Sequence, residues 1–278
     1  MIVASAQSYV PILTFASAAA YLAAAGVCHG RAKLSRTGAV LLGVAALLHA
    51  VVIGLGLTSP PRFGFGPALS MTAWLALLAY AVESINYPLM QLRWRLAVTG
   101  AVTVLLAWLF PGSPLKSATS ELLPLHLALG LASYGLFAVA VWHAWLMTRA
   151  EARMREGPAL LRDESADEGP KMLPLLTLER LTFRFVTLGF VLLTITILQG
   201  WFYSEHLYGA VTSSHWRWSH KTIFSLLSWV VFAALLWGRH SLGWRGQRAV
   251  RMVYAGAGLL LLSYVGYHFM LEVVLHRG

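Results

Sequence analysis

The stretch FVTLGFVLLTITILQGWF (Phe185–Phe202) decides the fold, because its 18 consecutive residues include no charged side chain. A helix that crosses the hydrocarbon core of a bilayer needs about 20 mainly apolar residues. The 278-residue chain has eight such runs, and 58% of its residues are hydrophobic while 12% are charged. The sequence therefore predicts an all-α, polytopic membrane protein with about eight transmembrane helices. The predicted spans are 8–29, 38–57, 67–86, 96–111, 122–147, 177–202, 220–238 and 250–275.

The formal net charge of +10 is distributed unevenly among the predicted loops. If the N-terminus is outside, 16 of the 21 Lys and Arg residues lie in or beside cytoplasmic loops. Short cytoplasmic loops of membrane proteins carry this excess of positive charge. The pattern predicts an N-out, C-out orientation and explains the basic composition without a nucleic-acid partner. The five remaining cations are Arg62, Lys116, Arg217, Lys221 and Arg277.

The N-terminus and the cysteine content further restrict the kind of membrane protein that the sequence can encode. Met1 to Ser8 carries no positive charge, so we expect a permanent first span and not a cleaved signal peptide. The single cysteine, Cys28, excludes an internal disulfide, a CxxC redox pair and a CxxCH site for covalent haem.

The one long polar segment is 149–175, which separates five predicted spans from three. We predict one membrane domain over 1–278, with 149–175 as a cytoplasmic linker between the fifth and sixth helices. Mixed charges with Gly and Pro are typical of a partly disordered connection. A regulatory contact with a soluble cytoplasmic partner is the alternative interpretation.

The ten histidines divide according to their position in the predicted topology. We expect an interfacial role for His29, His143 and His240, which lie at inner ends beside basic loops. The other seven are His49, within the second span, and His126, His206, His215, His220, His268 and His276, toward the outer side. Histidines within membrane spans are rare and often functional, although His49 is equally compatible with an interhelical hydrogen bond.

His268 and Glu272 are four residues apart and therefore share a helix face, with His276 following about one turn later. A carboxylate in this position can orient a histidine that ligates a metal, or belong to a capping network at the membrane surface. The chain lacks HExxH, a cysteine cluster and a carboxylate-rich site, so zinc hydrolysis and calcium binding are poorly supported. Histidines on separate helices among Trp and Tyr suit haem, although Trp and Tyr are also common at membrane interfaces.

The stretch PLKSATSELLPLHLALGLASY (Pro114–Tyr134) resembles the segment that leads from an outer loop into a helix in the cytochrome c assembly family of CcsA and CcmC type. In CcsA relatives a Pro-x-Leu-x-Ser element precedes a histidine, and the Tyr of a Ser-Tyr pair follows that histidine by eight residues. His126, Ser133 and Tyr134 keep this spacing. The resemblance implies that His126 is the first external haem ligand.

The stretch WRWSHKTIFSLLSW (Trp216–Trp229) is similar to the tryptophan-rich signature of the same family. The matching residues are Trp216, Trp218, Lys221, Ser225, Leu226 and Trp229. The departures are Ser219 for Asp, His220 for Pro, Thr222 for Glu and Phe224 for Trp. These departures, and Trp237 in place of an inner histidine of the synthases, argue against full synthase activity.

The C-terminal VGYHFMLEVVLH resembles the helix that leads to a second external histidine, which corresponds to His276 within one residue. His49, in LLHAVV, resembles a membrane histidine of an early family helix. The eight-span pattern is similar to the HemX-like, YpjD-type branch. The resemblance implies a multi-pass protein of the bacterial inner (plasma) membrane.

The resemblance further implies non-covalent, b-type haem at an outward-facing site where haem is handled or translocated. Its residues would be His126 and His276 as iron ligands, with His220 as an alternative ligand, and His49, His268, Trp216, Trp218 and Lys221 around the cofactor. The implied partners are haem, the bilayer, and cytochrome c assembly or haem-synthesis proteins. A regulatory scaffold that acts through 149–175 is the alternative, and a secondary transporter is disfavoured because no internal repeat is evident.

Overall fold

The computed structural model describes residues 8–29, 35–57, 62–86, 93–114, 122–155, 175–202, 220–266 and Phe269. These ranges contain eight α-helices, and one π-helical turn, Leu262–Gly266, follows the last of them. The helices are α1 (Val10–Cys28), α2 (Arg36–Gly56), α3 (Phe65–Asn86), α4 (Arg93–Leu109), α5 (Leu122–Arg155), α6 (Leu175–Phe202), α7 (His220–Leu242) and α8 (Gln247–Leu261).

The prediction of an all-α, polytopic membrane protein is confirmed. Seven of the helices in the described ranges are long and apolar enough to cross a bilayer. The exception is α4, which has 17 residues. The helices expose large apolar side chains, such as Leu47 and Leu176 at 69% and 71%, as expected of surfaces that face lipid.

The predicted bounds of the helices are close to the observed ones except at the ends of α5 and α8. Helix α8 ends at Leu261 and the π-helical turn ends at Gly266, whereas the predicted span continues to 275; apart from Phe269, the residues after 266 lie outside the described part of the chain. The difference at α5 has a physical reason. This helix continues to Arg155, two turns beyond the predicted end at 147, because an α-helix with a polar surface can extend past the membrane into water. Residues 149–155 of the predicted linker are therefore helical, and α6 begins at Leu175. Residues 156–174 lie outside the described part of the chain.

The helices form two groups of four. Helices α1 to α4 pack around Tyr21, and α5 to α8 pack around Phe137 and Phe232, whose rings stack with centroids 3.9 Å apart. The groups meet where α3 packs against α5 and against the π-helical turn. Gly135 of α5 permits this approach, because a Cβ there would lie 2.7 Å from the Cβ of Leu75.

The consecutive helices run in alternate directions, so the bundle has two ends. We call the end with the start of α5 and α7, including His126 and His220, the histidine end. We call the opposite end, with Arg93, Arg149 and Arg239, the arginine end. The positive-inside pattern favours a cytoplasmic arginine end, which stays a prediction.

A short antiparallel pairing closes α3 and α4 at the histidine end. Strand β1 (Arg62–Phe63) pairs with β2 (Ser113–Pro114), and Gly112 adopts a positive φ of 73° immediately before β2. Beside this pairing, Phe63 and Phe65 of the first group pack with Leu131 of α5 and Val265 of the π-helical turn. The two helical groups are therefore joined by aromatic packing at the histidine end.

Candidate functional site

The structure describes four of the eight predicted site residues: His49, His126, His220 and Lys221. Trp216, Trp218, His268 and His276 lie outside the described residues, as do His206 and His215. The predictions for these residues stay predictions.

His126 occupies the first turns of α5 at the histidine end and is half-buried. Its imidazole faces α6, because a Cβ placed on Gly200 would lie 3.6 Å from His126 Cε1. Its Nδ1 atom is buried, and no hydrogen-bond partner reaches it from the part of the chain that is described. Since buried polar atoms are normally paired, this nitrogen is available to a ligand.

Lys221 lies in the first turn of α7, close enough to act electrostatically on His126. Its Nζ atom lies 4.5 Å from the ring centroid of Tyr264, in the π-helical turn. The Tyr264 ring in turn makes an edge contact with Phe63, with centroids 5.5 Å apart. The Lys221 ammonium group thus lies against the Tyr264 ring, which contacts Phe63 of the first helical group, and within electrostatic range of the His126 imidazole.

Tyr134 fixes the π-helical turn against α5. Its Oη atom donates to the carbonyl oxygen of Leu260 at 2.6 Å and lies 2.7 Å from Ser263 Oγ. π-Helical turns often occur at functional sites, where they reposition the following residues. The Ser133–Tyr134 pair therefore has a structural role: its tyrosine sets the position of the chain that carries Tyr264.

His220 and Trp237 are both exposed. His220 begins α7 beside Lys221, so it remains a candidate for an alternative ligand at the histidine end. Trp237, at 64% exposure, faces away from the core toward the lipid. The correspondence of Trp237 with an inner histidine of the synthases stays a prediction from the resemblance.

His49 belongs to the other helical group and is fully buried. Its Nδ1 lies 3.2 Å from Tyr21 Oη of α1, and its Nε2 lies 2.7 Å from Ser70 Oγ of α3. A neutral imidazole has one donor and one acceptor nitrogen, so these two contacts occupy both. The geometry favours the interhelical hydrogen-bond interpretation of His49, and iron ligation would require one of these contacts to break.

A cavity of about 290 Å³ lies beyond Ser70 in the first helical group. Its walls are mainly apolar, with Thr14 and Ser70 inside, and Arg62 and Trp108 among its lining residues. This volume is at the lower limit of ordinary ligand pockets. His49 is thus separated from the cavity by the Ser70 hydroxyl.

The expectation of an interfacial role for His143 is wrong. His143 is 1% exposed, stacks on Phe185, and places Nε2 at 3.1 Å from Glu83 Oε2 of α3, which is also buried. The two atoms do not meet hydrogen-bond angles, so the contact is electrostatic, and neither side chain has another hydrogen-bond partner among the described residues. The sequence offered one signal of this pair, a carboxylate within an otherwise apolar run. His29 and His240, by contrast, are exposed at the arginine end.

The fold and the site define a class: an all-helical, multi-pass membrane protein with an imidazole and an ammonium group brought together at one end. The chain belongs to the cytochrome c assembly protein family, whose model matches residues 33–275. The resemblance carried by Pro114–Tyr134 and Trp216–Trp229 is thereby confirmed for the family.

Relatives within and beside this family show partial similarity. The chain is 30% identical over 149 residues to the inner membrane protein YpjD of Escherichia coli, which is 54% of this chain and 52% of that protein. It is 34% identical over 122 residues to the cytochrome c biogenesis protein CcsA of Synechococcus elongatus, which is 44% of this chain and 36% of that protein. The chain therefore spans about half or less of the length of these relatives. No solved structure matches it.

Proposed function

We propose that this protein binds b-type haem non-covalently at the histidine end and handles or translocates it there. The observation that carries the proposal is the buried Nδ1 of His126, which has no hydrogen-bond partner among the described residues and lies within electrostatic range of Lys221. Membership of the cytochrome c assembly family supports a haem-related role for the site.

The residues present fit the chemistry of haem. Haem iron takes axial nitrogen ligands from histidine, and the macrocycle is covered by apolar and aromatic side chains. His126 supplies the nitrogen, while Tyr264, which contacts Lys221, and Phe63, which contacts Tyr264, supply aromatic surface. The propionates are carboxylates, for which a partly buried lysine is a strong partner. When bound, haem supplies the coordinated iron, while the protein binds and orients it.

We propose His276 as the second iron ligand, with His220 as the alternative. Trp216, Trp218 and His268 complete the proposed surroundings of the cofactor, and His49 has a supporting role within the first helical group. The bound haem is non-covalent because Cys28 lies at the arginine end. Located in the bacterial inner membrane with its histidine end outward, the protein would receive haem and pass it to other cytochrome c assembly components.

We expect His126→Ala to weaken haemin binding at least about tenfold, which corresponds to about 1.4 kcal/mol. The reason is that the variant removes the buried nitrogen that faces the site. Purified protein in mild detergent is titrated with haemin, and the Soret band is recorded in the oxidised and reduced states. His240→Ala is the matched control, because it removes an exposed histidine at the arginine end.

Failure of the wild-type protein to bind haemin would reject the proposed function. Equal binding by His126→Ala and the wild type would reject the ligand and leave haem binding in place. The same titration with His276→Ala and His220→Ala identifies the second ligand. The regulatory alternative would be favoured by two results together: the wild-type protein does not bind haemin, and only changes in 149–175 abolish its function.

Lys221→Gln is expected to weaken haemin binding by about tenfold to a hundredfold, because a charge-assisted hydrogen bond contributes about 1.5–3 kcal/mol. Haemin dimethyl ester, which lacks the carboxylates, should bind the variant and the wild type equally. The measurement is the same Soret titration with both porphyrins. A matching loss for haemin and its ester would mean that Lys221 acts through packing on Tyr264 and not through a propionate.

A further inference from the structure

A cluster of tryptophan and arginine lies at the arginine end, far from the proposed haem site. The Arg95 guanidinium carbon lies 5.2 Å from the centroid of the Trp94 ring and 4.9 Å from that of Trp145. The Arg149 guanidinium carbon lies 4.2 Å from the same Trp145 ring. Two cations thus share one indole. We call Trp94, Arg95, Trp145 and Arg149 the Arg–Trp cluster.

The Arg–Trp cluster bridges the two helical groups. Trp94 and Arg95 lie in the first turn of α4, whereas Trp145 and Arg149 are one turn apart on α5. Trp142 extends the cluster, with its ring centroid 4.9 Å from that of Trp145, and its buried indole nitrogen finds no acceptor among the described residues. The cluster therefore lies in the seam between α4 and α5. Beside it, the Trp142 indole N–H is a donor without an acceptor among the described residues.

The positive charges of this cluster are not balanced within the described part of the chain. The described part of the chain includes three carboxylates. Glu83 pairs with His143, Glu151 with Arg155, and Glu179 with Arg239 and Arg245. Arg95 and Arg149 form no ion pair with any of these carboxylates. The two guanidinium carbons lie 4.9 Å and 4.2 Å from the same ring centroid, so they are at most about 9 Å apart. Without a counter-ion the two charges repel each other, and a bound anion would stabilise the arrangement.

The geometry also indicates which anion fits. A guanidinium group stacked on an indole keeps its N–H edge free, and this planar edge matches phosphate oxygens in a bidentate manner. The cluster lies where apolar helices end, the level at which tryptophan and lipid headgroups meet. Basic pockets between transmembrane helices at this level are suited to anionic lipid headgroups.

We propose that Arg95 and Arg149, supported by Trp94 and Trp145, bind the phosphate of an anionic phospholipid in the seam between the helical groups. The bound headgroup then joins the two groups at the arginine end, as aromatic packing joins them at the histidine end. This proposal is independent of haem binding.

The test measures lipid binding to the full-length protein after detergent delipidation, with cardiolipin as the probe and phosphatidylcholine, whose zwitterionic headgroup has no net charge, as the control. Bound lipid is counted by native mass spectrometry and affinity is taken from a titration. We expect cardiolipin to bind at least about tenfold more tightly than phosphatidylcholine, and Arg95→Gln/Arg149→Gln to remove this preference. Arg248→Gln/Arg251→Gln is the matched control, because it removes two exposed positive charges from the same end without touching the cluster.

Three results would overturn the proposal. The first is equal affinity of the wild type for the two lipids, and the second is an equal loss in both double variants, which would reduce the effect to net charge. The third is displacement of cardiolipin by an equal concentration of inorganic phosphate, which would indicate a site for the free anion. If Arg95→Gln/Arg149→Gln fails to fold, Arg95→Lys/Arg149→Lys replaces it. Lysine keeps the charge but loses the planar edge, so a several-fold weaker preference supports the proposal and an unchanged preference contradicts it.

The acidic residues of 163–168, in the same chain, could pair with the Arg–Trp cluster in place of a lipid. Neutralising Asp163, Glu164, Asp167 and Glu168 to the corresponding amides should leave the cardiolipin affinity within about twofold of the wild type. A gain of tenfold or more would show that this segment, and not a lipid, normally pairs with the cluster.

Discussion

Replacing Glu83 by leucine is expected to lower the free energy of unfolding by about 3–5 kcal/mol, because it leaves one partner of a buried pair alone. His143, which is 1% exposed, would then lose its contact with the Glu83 carboxylate. His143→Leu should have a similar effect, since it leaves the Glu83 carboxylate buried within the bundle. Unfolding in mixed micelles with a denaturing detergent, followed by circular dichroism, gives the free energies.

The double variant Glu83→Leu/His143→Leu distinguishes the pair from two independent sites. It should be markedly more stable than the sum of the single changes predicts, because two apolar side chains then pack where two polar ones met. Glu151→Gln is the control, since this carboxylate lies near the end of α5 and pairs with the exposed Arg155 at 3.9 Å. We expect it to change the free energy by about 1 kcal/mol or less. Additive effects of the two leucine substitutions would contradict the electrostatic contact.

Gly66→Val is expected to destabilise the protein by about 3 kcal/mol, because there is no room for a side chain at the start of α3. A Cβ there would lie 2.5 Å from the Phe110 carbonyl oxygen and 2.8 Å from that of Leu106. Both are backbone atoms at the end of α4, so relief requires the helix ends and the β1–β2 pairing to move apart. Thermal unfolding monitored by tryptophan fluorescence measures the change.

Gly43→Ala is the matched control for this substitution. Gly43 lies in α2, and nothing lies within 4 Å of a Cβ placed there. Alanine in the interior of a helix is favoured over glycine by about 1 kcal/mol, so this variant should be as stable as the wild type or slightly more so. Equal melting temperatures for Gly66→Val and the wild type would show that α3 and α4 are not in close contact at this point.

The helices could be predicted because each long apolar run has one stable arrangement in a bilayer, in which its backbone hydrogen bonds are made internally. The end of α5 could not be predicted from hydropathy, since Arg149–Arg155 is polar and yet continues the helix. The pairing of Glu83 with His143 depends on packing between α3 and α5. Sixty positions separate the two residues, and no local pattern specifies such a contact.

In the candidate site, too, some residues could be predicted from the sequence and others could not. His126 and Lys221 could be identified from the stretches that carry the family resemblance, and the structure places them together at the histidine end. Tyr264 had no such signal, because its position depends on the π-helical turn and on the Tyr134 hydroxyl. Tyr21 and Ser70 were likewise not identifiable as partners of His49, since both contacts come from neighbouring helices.

The hydrogen bond between Tyr134 and the Leu260 carbonyl has a consequence for the spacing of the proposed ligands. His126 and Tyr134 lie on the same helix, eight residues or about 12 Å apart along its axis. Tyr134 therefore holds the final turn of α8 at a fixed height relative to His126. Together with the packing of α5 against α8, this phenolic hydroxyl group fixes the position of the π-helical turn relative to His126. In the proposed haem site, it would therefore help to set the separation of the two ligand-bearing segments.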